Sequence, residues 1–139
     1  MNEQQRAGVI PVRRGIAIDA KQEVPYFVGI SAQTVGARQI SMQRVIFPPA
    51  TAARPHIHAG HETAIYILQG NVETRYGPGL REVVVSGPGE FLFVGPDVPH
   101  QSRNLSETEP VIAIAARSNP DEQEHVIPYD PADDDVLAR

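Results

Sequence analysis

The 139-residue chain has no cysteine and no tryptophan. Without cysteine there can be no disulfide, no thiol nucleophile and no thiolate metal site. Aromatic residues are few, at four tyrosines and four phenylalanines. They do not interleave with a basic stripe, so nucleic-acid binding is not expected. No apolar run approaches the roughly 18 residues of a transmembrane helix, so no membrane partner is expected. The N-terminal MNEQQRAG has no apolar h-region, so no signal peptide is evident and a cytoplasmic location is expected. Nucleophile–base triads, Gly-x-Ser-x-Gly elbows and phosphate-cradling glycine loops are also missing. Helical periodicity recurs over no convincing length.

The formal net charge is −5, unevenly placed. From Asn119 onward there are seven acids (Asp121, Glu122, Glu124, Asp130, Asp133, Asp134, Asp135) and one base, Arg139. The preceding 118 residues hold ten acids and eleven bases, which makes the body nearly neutral. A neutral body argues against a highly phosphorylated substrate.

What the chain does have is turn chemistry. Thirteen prolines and eleven glycines exceed the background of about 12 %. They separate short runs rich in β-branched and aromatic residues, with strand starts about ten residues apart. Strands are expected at Gly8–Val12, Tyr26–Ile30, Arg38–Phe47, Ala53–His58, Thr63–Leu68, Val72–Tyr76, Glu82–Val85, Phe91–Val94, His100–Asn104, Val111–Arg117 and Val126–Tyr129. This is the pattern of an all-β sandwich or barrel. The length suits one domain. It divides into an N-terminal arm with extra strands (1–34), a barrel core (35–118) and a C-terminal strand with an acidic tail (119–139). The run Val111–Ala116 is apolar at both parities, so it is covered on both faces or forms a subunit contact.

Three of the five histidines fall within six residues, in Pro55-His56-Ile57-His58-Ala59-Gly60-His61-Glu62. Side chains at i and i+2 of a strand share a face, so His56 and His58 can converge on one ion. Glu62 follows within reach, and His100, heading a later strand, is the candidate distant ligand. Neutral imidazole with carboxylate suits Fe, Mn, Co, Ni, Cu or Zn. The expected ligand set is His56, His58, Glu62 and His100, because a carboxylate offsets part of the ion's charge; the three histidines alone, or a set in which His61 turns inward, are the alternatives.

These segments resemble the two motifs of the cupin superfamily, closest to small single-domain RmlC-like bacterial cupins. The first motif reads His56, His58, then Glu62 or Thr63, then Gly70. The second reads Gly89, Gly95-Pro96-Asp97, His100 and Asn104. The stretches His61–Tyr66, Gly87–Gly89 and Val98–His100 carry the likeness further, from about Ser31 to Val126. In the second motif Gly95 and Asp97 replace the family's Pro and Gly. In the first, counting forward from His58 selects Glu62, but counting back from Gly70 selects Thr63. A one-residue slip reverses the face that a strand side chain addresses, and a bulge near Gly60 or Glu62 restores Glu62 to the interior.

The resemblance implies a double-stranded β-helix, that is, a jelly-roll barrel, with one divalent transition metal and a homodimeric state. It also implies a small metalloenzyme acting on a small organic molecule. A dioxygenase is the first expectation and a sugar-type isomerase or lyase the second; a non-catalytic small-molecule-binding cupin is the competing class. Metal should be lost as pH falls, because protonation of histidine ligands opposes binding. Ile40 and Met42 are expected to line the interior, with Arg44 on their parity. Tyr66 is expected to point away from the metal, Asn104 to brace a turn, and His125 to lie at the surface.

Overall fold

The computed structural model describes residues 8–19, 24–121 and 126–134. Eleven strands are described: β1 Ile16–Asp19, β2 Pro25–Ile30, β3 Ser41–Phe47, β4 His56–His58, β5 Thr63–Gln69, β6 Val72–Tyr76, β7 Glu82–Ser86, β8 Phe91–Val94, β9 His100–Asn104, β10 Val111–Arg117 and β11 Val126–Pro128. A single-turn helix, α1 (Ala32–Val35), follows β2. Ser31 caps it reciprocally with Thr34, and Gly36 ends it in the left-handed conformation. The strands form two antiparallel sheets, β1-β2-β3-β10-β5-β8 and β11-β4-β9-β6-β7. This agrees with the all-β sandwich or barrel expected from the strand spacing and with the jelly roll that the resemblance implies. None of the described helices is long and apolar enough to cross a membrane.

Four strands lie where the alternation places them: Val72–Tyr76, Phe91–Val94, His100–Asn104 and Val111–Arg117. Gly8–Val12 forms no strand, and β1 lies later, at Ile16–Asp19. Pro11 interrupts the earlier run and cannot donate to a ladder. Pro55 has the same effect on the expected Ala53–His58 strand, which shortens to His56–His58. His125 lies outside the described residues.

Period-two alternation puts Val45, Phe47, Ile67, Val72, Val111 and Ala113 into one buried core between the sheets. Ile67 is 1 % exposed, a burial that contributes about 1.5–3 kcal/mol. The parity of β3 differs from expectation. Ser41, Gln43, Val45 and Phe47 are buried, while Ile40 and Met42 are exposed. Arg44 is also outside, with its guanidinium 4.7 Å from the Phe27 ring centre. Tyr66 points away from the interior, as expected, and packs on Phe91.

Gly70 turns β5 into β6 at φ +85°, with Val111 pressed against it. A Cβ there would lie 2.8 Å from Val111 Cγ2 and 3.1 Å from the Pro110 carbonyl oxygen. Gly70→Ala should therefore cost about 2–4 kcal/mol, from left-handed strain and overpacking together. Urea unfolding at fixed pH measures this. Asn104 locks the neighbouring corner: its Nδ2 donates to the carbonyls of Phe47 (3.1 Å) and Glu109 (2.7 Å). Its Oδ1 accepts from the Ser106 amide.

Candidate metal centre

β4 and β9 are paired neighbours, with His56 opposite His100. His58 lies two residues along β4 on the same face. Local sequence therefore puts two imidazoles inward, and strand pairing brings the third beside them. All three histidines are buried, at 4–6 % exposure. One ring nitrogen from each lies within 4.8 Å of those of the other two. Ring centres are 4.3 Å apart for His56 and His100 and 4.9 Å apart for His56 and His58.

Backbone carbonyls orient two of the rings. His56 Nδ1 is 2.6 Å from the Arg54 oxygen, and His100 Nδ1 is 3.0 Å from the Val98 oxygen. A carbonyl only accepts, so each Nδ1 carries the proton and each Nε2 presents a lone pair. Such bonds are the usual orienting partners of metal-ligating histidine. His58 Nε2 is buried and has no hydrogen-bond partner. A lone nitrogen in that position is costly unless something occupies it. The donor set of three neutral imidazoles thus fits a metal ion.

Electrostatics agree. Burial lowers the His56 pKa to about 3, helped by the neighbouring His100. Burial also holds His58 well below the usual imidazole range, with Arg117 adding to the effect. His100 shifts downward for the same main reason, although its bond to Val98 opposes the shift. All three are therefore neutral, ligand-ready imidazoles at pH 7.

The imidazoles open onto an interior cavity of ≈ 50 Å³. Thr63, Ser102, Arg117 and Tyr26 supply its polar wall, and Val45, Phe47, Ile65 and Ile67 are among its apolar lining. Arg117 ends β10 in register with Thr63 of β5 and Ser41 of β3. Its Nη2 donates to the Tyr26 hydroxyl. Residues 24–30 thus contribute directly to the cavity through Tyr26.

Glu62 is not brought to the three histidines. Thr63 opens β5 as an inward residue at 2 % exposure, so Glu62 beside it is exposed. The register shift between β5 and β10 falls at Leu68, and the pairing runs regularly from Ile67 to Thr63; the Glu62 backbone is tied on both sides to Ser118, its amide donating to Ser118 Oγ and its carbonyl accepting from the Ser118 amide. Counting back from Gly70 therefore gave the observed parity. His61 also stays out of the group, with its Nδ1 3.2 Å from the Ser118 carbonyl oxygen. Gln101 and Arg103 are engaged elsewhere, with the Ala53 carbonyl and Glu73 respectively.

Asp97 serves the site from outside. It adopts φ +63°, where the family pattern has glycine. Aspartate tolerates this region better than most residues. Its Oδ1 accepts the Gly60 amide at 2.9 Å, and its own amide donates to the His58 carbonyl. Asp97 therefore fastens the turn before His100 to the turn after His58. Sequence reading missed Arg117 and Tyr26 as cavity residues. The signal for Arg117 was available in the parity of Val111, Ala113 and Ala115, which it continues.

A family model described as "Cupin domain" matches residues 43–116. No curated protein matches the chain. Among solved structures, the polyketide cyclase RemF from Streptomyces resistomycificus is 20 % identical, with a TM-score of 0.69. That alignment covers 96 % of this chain and 89 % of RemF. KdgF from Halomonas sp. is 17 % identical, with a TM-score of 0.62, covering 77 % of this chain and 88 % of that one. Lactobacillus farciminis oxalate decarboxylase is 18 % identical over 82 % of this chain, with a TM-score of 0.68. This chain spans only 33 % of that longer enzyme. At these identities the structural likenesses establish the fold.

Proposed function

The chain belongs to the cupin domain family, and we propose that it is a small metalloprotein enzyme whose ion is held by His56, His58 and His100. The observation that carries this reading is the convergence of three buried, neutral imidazoles at one cavity between the sheets. A divalent transition ion bound there would supply Lewis-acid or redox chemistry. The protein's own contribution is positional. Arg54 and Val98 carbonyls hold two ring orientations, and the apolar floor excludes bulk water. Arg117 and Tyr26 place hydrogen-bonding groups on the cavity wall, where they can orient a substrate oxygen. Glu62 is left out of the ligand set because it is exposed.

Dioxygenase chemistry is the first reading of the reaction, and isomerase or lyase chemistry the second. Metal analysis of protein purified without chelators, coupled to oxygen uptake over diketones, phenols and sugar acids, separates them. Iron with oxygen consumption is the expected result. Zinc or nickel with turnover but no oxygen uptake would select the second reading. Ligand-induced thermal stabilisation without any turnover would identify a binding protein.

We also propose that two copies pair through the outer face of the six-stranded sheet. Register places Met42, Ala116, Ala64 and Phe93 in one row, and Arg44, Ile114, Tyr66 and Phe91 in the next. Phe91 is 81 % and Phe93 63 % exposed. Six strands about 4.8 Å apart and four to seven residues long give a face of roughly 550 Å² before side-chain relief. That approaches the roughly 800 Å² per partner of a stable dimer. A symmetric pair lets one apolar face cover its own copy. Light scattering should give twice the chain mass for wild type and the single mass for Phe91→Glu. A monomeric wild type at tens of micromolar would contradict the pairing.

A further inference from the structure

Next to the metal centre lies a second hollow that the reading above does not use. β7 is an outer strand of one sheet and β8 of the other, and a tight turn joins them in sequence. Between these edges runs a crevice of ≈ 350 Å³. Val84, Leu92, Phe93, Val94 and Val98 supply its apolar walls, with Thr74 and Tyr76 beside them. No acidic, lysine or arginine side chain lines it. His100 and Leu92 line both this crevice and the smaller cavity that holds the imidazoles. The inner cavity, at ≈ 50 Å³, admits only a few atoms. Any organic substrate of ordinary size must therefore extend out of it.

We propose that the crevice between β7 and β8 binds an uncharged, aromatic or aliphatic arm of the substrate, whose reacting end sits at the three histidines. An apolar cavity of about 150 Å³ already takes a benzene ring, so this one suits an arm of about two fused rings. Its walls offer dispersion and desolvation but no counter-charge, so they select against charged arms. The position of the reacting end rests on the metalloprotein reading; the crevice and its chemistry do not.

The test uses 2-naphthol as the arm probe and azide as the metal probe, on the full chain. Naphthol fluorescence should report saturable binding to chelator-treated protein. Val84→Arg puts a charge on a partly exposed strand residue at the crevice, so folding should be kept. It should weaken naphthol at least about tenfold. Azide affinity of the cobalt-loaded protein, read from its visible spectrum, should change less than about twofold in the same variant. Bound naphthol should also perturb that spectrum, because His100 faces both spaces. Equal naphthol affinity in wild type and Val84→Arg, or no naphthol binding at all, would overturn the proposal. Naphthol binding that leaves the cobalt spectrum unchanged would overturn the shared site. Failure to load cobalt would defeat the metal reading instead, while the naphthol comparison would still decide the crevice.

Discussion

His100→Ala is expected to lower metal affinity by roughly a hundredfold or more while leaving the barrel folded. Structural zinc sites release about 10–16 kcal/mol over four ligands, or roughly 3 kcal/mol per ligand. At about 1.4 kcal/mol per tenfold, loss of one ligand amounts to about two orders of magnitude. β9 remains paired to β6 along five residues, so the fold does not depend on this side chain. The removed ring carries a desolvation cost in the metal-free state, which limits the loss of stability. Glu62→Gln is the decisive comparison. Because Glu62 is exposed and apart from the imidazoles, its affinity should match wild type within about twofold. Competition titration against a chromophoric chelator measures all three proteins. Equal losses in His100→Ala and Glu62→Gln would restore the carboxylate to the ligand set.

The metal-free protein should lose stability steeply on acidification from pH 6.5 to 4. His56 has a folded pKa of about 3 against an ordinary 6.5. Between those values the unfolded chain binds the proton and the folded chain does not. Stability therefore falls as pH falls, by about 1.4 kcal/mol per pH unit for each such group. From pH 6.5 to 4, His56 alone removes about 3 kcal/mol. His58 and His100 shift in the same direction for the same cause, burial. Together they challenge the roughly 5–15 kcal/mol of an ordinary domain. Bound metal keeps the imidazoles neutral in the folded state and should move the acid transition to lower pH. Metal release on acidification is thus coupled to unfolding more than to simple titration of a rigid site. Circular dichroism against pH, with and without metal, gives both midpoints. A metal-free melting temperature unchanged between pH 7 and pH 4 would contradict neutral, buried histidines.

Most strand positions and the His56–His58 pair were legible because both rest on period-two alternation and proline–glycine punctuation. His-x-His on one face needs only local geometry. His100 was named as the distant ligand from its place at the head of a strand after a glycine–proline turn, but its position opposite His56 rests on the pairing of β4 with β9, which no local pattern encodes. The choice between Glu62 and Thr63 turned on one residue of register, and the two ends of the motif pointed to different answers. Parity on β3 was misjudged because Ile40 and Met42 are apolar and Gln43 is not. The first half of β3 buries Ser41 and Gln43 and exposes Met42, so hydrophobicity gave the wrong face there. The buried Gln43, at 1 % exposure, is the clearest case. Arg117 and Tyr26 are 91 residues apart and meet only across the assembled sheet, a long-range contact that no local pattern encodes.

Anomalous diffraction from crystals of the metal-loaded protein tests the central claim most directly. One peak per chain is expected, about 2.0–2.2 Å from Nε2 of His56, His58 and His100 and more than about 3 Å from both Glu62 oxygens. A peak on Glu62 or His61, or a metal-loaded crystal with no peak at the three imidazoles, would contradict it.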